Sequence, residues 1–467
     1  MEILELMRSE ILLTAIILLL LITKLTDLDI GNGAIMNAAN IALAGLLAVG
    51  FLCHSEGALF GDMFATNSLL RLEKNILTLG TLVVSLQAGD WLKKHEHAME
   101  FYLLLLTSLL GMFLMLSAGN LLMFYLGLEM STLPIAALAN FDLRLRRSSE
   151  GALKMIVSSA FSSGIFLFGI SWIYGTTGTI GFTTIPLALT GSPLQILAII
   201  LIIAGLGFKI SAVPFHLWTA DVYEGSPLPV TSYLSVVSKG AVVFVLISVL
   251  YKVFGGMENV WYNILFLLSV ATMVIGNLFA LRQSQIKRFL AFSSIAQIGF
   301  ILIAISGASP TGAASTIFFI LVYLFSNLAA FGVVSLISHS TGKEYIEDYK
   351  GLRASNPALA WMMALALFSL AGVPPMAGFF GKFFLIIAGA GKGNWTWVII
   401  AVLNMIISMA YYLRIVKIMF MDSTETPMQK VTFEWPPKLA MAICIGGILV
   451  TGMASGAYEY IFSLIGQ

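Results

Sequence analysis

The sequence predicts an all-α fold: a polytopic membrane helix bundle of about fourteen transmembrane helices. Three observations predict it. Of the 467 residues, 59% are hydrophobic and only 10% are charged, whereas a soluble domain carries about 25% charged residues. Apolar residues recur in uninterrupted runs close to the roughly 20 residues that a helix needs to cross a hydrocarbon core. No stretch between those runs is long enough for a water-soluble domain.

Taken in order, the spans are expected near 8–24, 35–53, 72–89, 99–117, 120–140, 151–174, 193–213, 228–251, 260–281, 286–307, 312–338, 357–390, 394–420 and 438–464. The chain starts MEILELMRSE before the first apolar run. A secretory signal has a basic start and a small-residue cleavage site, so this run reads as a retained span. The expected organisation is three N-terminal helices over 1–98, a first five-span unit over 99–252, a second over 253–421, and a C-terminal helix over 422–467.

Charge placement orients the bundle. Sixteen lysines and arginines fall in one set of alternate connectors, beginning with 25–34, and five (Arg8, Arg71, Lys74, Lys252 and Lys392) fall in the other. Cations concentrate on the cytoplasmic side. Both termini are therefore expected on the non-cytoplasmic face of an inner (plasma) membrane.

Several function classes drop out. The net charge of +1 leaves no basic surface for nucleic acid. Cys53 and Cys444 form no C-x-x-C pair, and the five histidines make no H-E-x-x-H. There is no phosphate-binding glycine–lysine loop. No metal and no cofactor is expected in this chain.

Five charges remain inside spans: Glu129, Lys154, Lys209, Lys239 and Lys382. A lysine at the bilayer centre costs at least about 2.5–3.5 kcal/mol on insertion scales, so such residues face the protein interior or a wet cavity and have a partner. Lys154 lies nearer a span end, where its side chain can snorkel to the surface; a structural role suits it better. Two spans are also expected to be broken, the seventh at Pro214 and the twelfth at Pro374–Pro375 between Gly372 and Gly378. Broken helices in matching positions of two halves mark the path of repeat-built transporters. Spans seven and twelve are five apart, an odd offset, which implies two inverted five-helix repeats.

This pattern is suited to proton relay. Burial disfavours a charged ammonium and a nearby carboxylate restores it. A change in the distance from Glu129 to a lysine would then switch that lysine between protonated and neutral, with no cofactor needed. Ser211, Thr231, Ser235, Ser238, Ser293, Ser294 and Gln297 are candidates to hold water between the charges, and His216 is either a relay or a helix cap. A structural ion pair is the competing reading of Lys209 and Lys239.

The stretch GFKISAVPFHLWTADVYEGSPLPVTSYLSVVSKGAVVFVL from Gly207, with LGLEMSTLPIAAL, QIKRFLAFSSIAQIGF and GVPPMAGFFGKFFLI, resembles the subunit N family of proton-pumping NADH–quinone oxidoreductase (respiratory complex I). The resemblance covers spans four to thirteen. It extends to the wider antiporter-like membrane subunits, including those of multi-subunit sodium/proton antiporters, which form the alternative. DVYEGSP and Lys382 favour the N type, and Gln297 departs from relatives that have a histidine there. The resemblance implies a non-redox translocase subunit in which Glu129, Lys209, Lys239 and Lys382 carry protons. It also implies M-type and K-type neighbours, and partner subunits that hold NAD, flavin, iron–sulfur clusters and quinone.

Overall fold

The computed structural model describes residues 2–26, 30–454 and 456–465, so part of the 25–34 connector lies outside the described residues. The principal helices in chain order are α1 Arg8–Leu25, α2 Asn32–Leu52, α3 Ser68–Gln87, α4 Ala98–Leu116, α5 Leu121–Ala139, α6 Arg146–Thr177, α7 Pro193–Lys209 and α8 Leu217–Gly225. They continue as α9 Leu228–Val253, α10 Glu258–Leu281, α11 Ile286–Ser306, α12 Pro310–Thr341, α13 Pro357–Ala371, α14 Ala377–Ala390, α15 Trp395–Phe420, α16 Trp435–Met453 and α17 Gly456–Ile465. Ten of these are long and apolar enough to cross a membrane. Helices α1, α3, α7, α13 and α14 lie at the remaining expected spans.

The helix starts follow from local chemistry. Asn67, Asn120, Ser192 and Ser309 each accept a hydrogen bond from a backbone N–H of the first turn that follows. Those amides have no partner within the helix. Pro193, Pro310 and Pro357 stand at helix starts, where a missing N–H costs nothing.

The seventh span breaks as expected: α7 ends at Lys209 and α8 begins at Leu217. The twelfth is divided between α13 and α14 by residues 372–376. Pro134, by contrast, lies inside α5 without ending it. Two features depart from the expected pattern. A short hairpin, Gly57–Leu59 with Phe64–Thr66, occupies the connector before α3. The expected last span closes early, at Met453, because Gly452 packs directly on the backbone of Ala377 and Ala454 is extended.

Helices α9, α11 and α12 form the buried centre, and α11 has no exposed residue along its length except half-buried Arg288 near its start. Around them, α4 packs most closely on α5 and α10 on α11. Both pairs are cemented by glycine on each helix. A Cβ on Gly111 would meet Ser131 N at 2.4 Å, and one on Gly127 would meet Met115 N at 2.6 Å. A Cβ on Gly276 would meet Ala296 N at 2.6 Å, and one on Gly299 would meet Met273 N at 2.7 Å. Small residues of this kind let membrane helices approach to backbone contact. Replacing Gly276 by valine should therefore force α10 from α11 at a cost of about 1–3 kcal/mol and reduce the amount of assembled protein several-fold. Quantitative immunoblotting of detergent-extracted membranes checks this.

Candidate functional site

The break after α7 is closed by side chains. Ser211 sits at φ 62°, a left-handed conformation rare for a residue with a side chain. Its hydroxyl accepts a hydrogen bond of 2.7 Å from Thr219 Oγ1. Trp218 Nε1 donates to the carbonyl of Phe208 at 3.1 Å, and the N–H of Val213 donates to Thr272 Oγ1 on α10 at 3.0 Å. Backbone groups freed within a membrane must find such partners.

Lys209, the last residue of α7, is buried. Its ammonium donates to Ser159 Oγ on α6 at 2.7 Å and to Thr132 Oγ1 on α5 at 3.0 Å, and lies 3.7 Å from Glu129 Oε1. Ser163 donates to the same Glu129 carboxylate. The structure thus joins Glu129 and Lys209, but through loose Coulombic contact with hydroxyls around it. Sequence reasoning missed Thr132, Ser159 and Ser163. The signal was present: the run SSAFSS places four hydroxyls in an otherwise apolar span.

Lys239 follows directly on a π-helical stretch of α9, Tyr233–Ser238. Such bulges are frequent at functional sites. The Lys239 ammonium donates to Ser294 Oγ on α11 at 2.8 Å and stands 5.3 Å from the Tyr223 ring centre. Ser238, named as a candidate, is only half-buried; Ser294 is the hydroxyl that holds this lysine. One helical turn beyond Ser294, Gln297 Nε2 donates to the carbonyl of Leu370 at 3.1 Å and to Tyr412 OH at 3.3 Å, while its Oε1 has no partner. Ser293 donates to the Leu290 carbonyl at 2.9 Å.

Lys382 reaches back from α14 to the end of α13. Its ammonium donates to the carbonyls of Leu370 at 2.8 Å and Ala371 at 3.4 Å, and lies 5.0 Å from the Phe300 ring centre. The Leu370 carbonyl is therefore shared by Lys382 and Gln297. Gly372, at φ 83°, turns the chain away at that point, and a Cβ there would press on Lys382 Cδ at 3.3 Å.

His216 is buried at the start of α8. Its backbone occupies the cap position, but its side chain makes no capping bond and Nδ1 has no partner. Lys154 belongs to a different arrangement. Its ammonium is 2.7 Å from both Glu150 and Asp221 and is 43% exposed.

That arrangement is an ionic clamp on α8, also missed from sequence. Arg288 Nη1 on α11 is 2.8 Å from Asp221 Oδ1 and 2.7 Å from Glu224 Oε2. Lys287, read from sequence as a connector residue, is instead buried in the first turn of α11. It donates to the carbonyls of Glu224 and Ser226 and lies 3.5 Å from Glu344. Glu344 is also 3.3 Å from Arg147. Beside these groups lies a cavity of about 140 Å³ lined by Asp142, Arg147, Lys287, Ser338, His339 and Glu344. Among the described residues no group of three or more His, Cys, Asp or Glu side chains could hold a metal ion.

A family model described as NADH:quinone oxidoreductase/Mrp antiporter, TM, matches residues 118–408. NADH-quinone oxidoreductase subunit N of Phocaeicola vulgatus is 50% identical over 87% of this chain and 87% of its own length. Subunit N of Azobacteroides pseudotrichonymphae is also 50% identical, over 87% of this chain and 85% of its own. Among solved structures, a chain of respiratory complex I from Thermus thermophilus with bound aureothin matches with TM-score 0.81 and 30% identity, over 96% of this chain and 97% of that one. A chain of the Mrp complex from Dietzia sp. DQ12-45-1b shares the fold, with TM-score 0.83 and 20% identity over 97% of each chain.

The clamp yields an expected outcome. Arg288→Gln removes two ion pairs from α8, and amide hydrogen exchange across Leu217–Gly225 should quicken several-fold while exchange in α12 stays as it was. Mass spectrometry of the detergent-solubilised protein reads both segments in one experiment.

Proposed function

Because the chain belongs to the NADH:quinone oxidoreductase/Mrp antiporter transmembrane family, we propose that it is the subunit N-type proton-translocating membrane subunit of an NADH–quinone oxidoreductase. The redox chemistry takes place on NAD, flavin, iron–sulfur clusters and quinone held by partner subunits, and this chain moves protons. It crosses the plasma membrane of a bacterium fourteen times, with both termini on the non-cytoplasmic side, beside M-type and K-type neighbours. The sodium/proton antiporter alternative is less favoured, since the relatives at 50% identity carry the subunit N name and the Mrp likeness is one of fold.

One observation carries the mechanism: α11 presents Ser294 to Lys239 and, one helical turn on, Gln297 to the Leu370 carbonyl that also accepts from Lys382. Each lysine is buried, and each has hydrogen-bonding groups that serve the charged or the neutral amine by rotation of a hydroxyl or by water. Protons are taken up from the cytoplasmic side by way of the cavity beside Lys287 and Glu344. Glu129 holds the Lys209 proton while the two are close. When a signal from the neighbouring subunit separates them, the Lys209 ammonium loses its Coulombic support and the proton passes by way of His216 to Lys239. It then passes along α11 to Lys382, which exchanges with the far side. The two five-span units, 99–252 and 253–421, act as two half-channels that meet at α9 and α11. Their likeness is supported by the matching α4–α5 and α10–α11 glycine contacts.

Lys239→Ala and Lys382→Ala should each lower NADH-driven proton translocation by about tenfold or more, as for loss of a proton-transfer group, in complexes that assemble normally. Glu129→Gln should do the same. The measurement is acidification of vesicles containing the purified complex, normalised to uncoupled NADH oxidation. Undiminished translocation in the Lys209, Lys239 and Lys382 variants together would refute the relay. Sodium-driven proton exchange without NADH would favour the antiporter.

A further inference from the structure

A groove of about 600 Å³ lies between α13 and α15, away from the lysines of the relay. The two helices run in opposite directions. The N–H of Gly351, a few residues before α13, donates to the carbonyl of Ile418 near the end of α15, and Trp361 meets Phe420 edge to face at 4.9 Å. The start of α13 and the end of α15 therefore share one membrane face.

The walls are apolar. Trp361, Ala364 and Phe368 line the groove from α13, and Leu413, Val416 and Phe420 line it from α15, each set at helical spacing. From Trp361 and Phe420 at the membrane face, the groove runs one to two turns inward to Phe368 and Leu413, about 10 Å along the helices. Trp361 and Leu413 are exposed on the outside of the bundle.

Lipid tails cover any apolar surface of a membrane protein, but that does not account for the charges here. Arg414 and Lys417 line the same groove, both exposed, and the Arg353 guanidinium stands 5.6 Å from the Phe420 ring centre. Lys417 lies in the last turn of α15 and Arg414 in the turn before it, so both side chains reach the headgroup layer by snorkelling. They are neighbours on one helix face, where like charges repel, and an anion between them relieves that repulsion. Arg414 Nη1 donates to the Leu281 carbonyl at 3.3 Å, and the guanidinium has further donors to offer.

No residue lining the groove is acidic. Among the described residues, none of Arg353, Arg414 and Lys417 forms an ion pair, and neither do Asp422 and Glu425 in the connector beyond. Other cations near span ends are answered within the chain. Lys74, which reads from sequence as a connector residue, is buried inside α3 and lies 2.5 Å from Glu10 Oε1. Arg288 and Lys154 are held by the carboxylates of the clamp.

We propose that the groove between α13 and α15 binds an anionic phospholipid, with its phosphate at Arg353, Arg414 and Lys417 and one acyl chain along Trp361, Val416 and Phe368. A basic pocket between membrane helices is a setting in which such headgroups bind. A guanidinium meets a phosphate through two parallel hydrogen bonds, and the apolar walls below suit a chain that a free phosphate lacks. The association is non-covalent and does not depend on the proton relay.

The test uses the intact complex in vesicles that contain a small fraction of phosphatidylglycerol with a photoreactive group in one acyl chain. Illumination should attach the lipid to peptides of α13 and α15, read by mass spectrometry. Excess unlabelled phosphatidylglycerol should reduce these adducts several-fold, and excess phosphatidylcholine should not. The combined substitutions Arg353→Gln, Arg414→Gln and Lys417→Gln should also reduce them several-fold, with adducts elsewhere on the complex unchanged. Equal labelling by the matching phosphatidylcholine probe overturns the site, since it marks ordinary surrounding lipid. Absence of adducts on both helices overturns it too, since a neighbouring protein then covers the groove. Should the combined variant fail to assemble, the competition between the two lipids on the parent complex decides alone.

Discussion

Inside a hydrocarbon layer no backbone carbonyl, amide or charged side chain can turn to bulk water, so each must be answered by the protein. This constraint organises the molecule around its two broken helices. At the second break, the carbonyls of Leu370 and Ala371 have lost their helical donors, and the Lys382 ammonium needs acceptors. Each satisfies the other. The break exists where the amine can use it, and the amine is tolerated because the break is there.

The first break solves the same problem with different groups. Lys209 lies before its break rather than after it, and relies on hydroxyls of α5 and α6 and on a carboxylate 3.7 Å away. The freed backbone near Pro214 is answered by Trp218 and Thr272 instead. The two sites are therefore not equivalent. One amine is held by fixed backbone dipoles. The other is held by hydroxyls and a carboxylate on separate helices. The proposed relay uses the first as a fixed terminus and the second as a displaceable partner.

Between them, α9 and α11 supply a centre shielded from lipid. The π-helical turn before Lys239 shifts that side chain onto the face where Ser294 meets it. One turn further along α11, Gln297 reaches the second break through a carbonyl that it shares with Lys382. The ionic clamp of Lys154, Arg288 and Lys287 on α8 lies at one end of this centre. It holds the half-helix that connects Lys209 to Lys239, so rigidity there bears directly on the spacing of the charges.

The sequence by itself determined the fold class, most of the span positions, both helix breaks and the identity of the principal intramembrane charges. Each of these follows from a local property: run length against bilayer thickness, proline and glycine chemistry, and the cost of a charge in an apolar run. Only the tertiary structure decided which groups meet. Thr132, Ser159 and Ser163 around Lys209, Ser294 rather than Ser238 at Lys239, and the shared Leu370 carbonyl all join residues far apart in the chain. The burial of Lys74 and Lys287 was hidden for a related reason. Each lies close to the end of an apolar run, where sequence reads a surface cation, and only the helices packed over it turn that position into interior. Partner choice depends on how helices rotate and cross, and that is set by contacts such as Gly276 against Ala296, which a linear pattern of hydrophobicity does not encode.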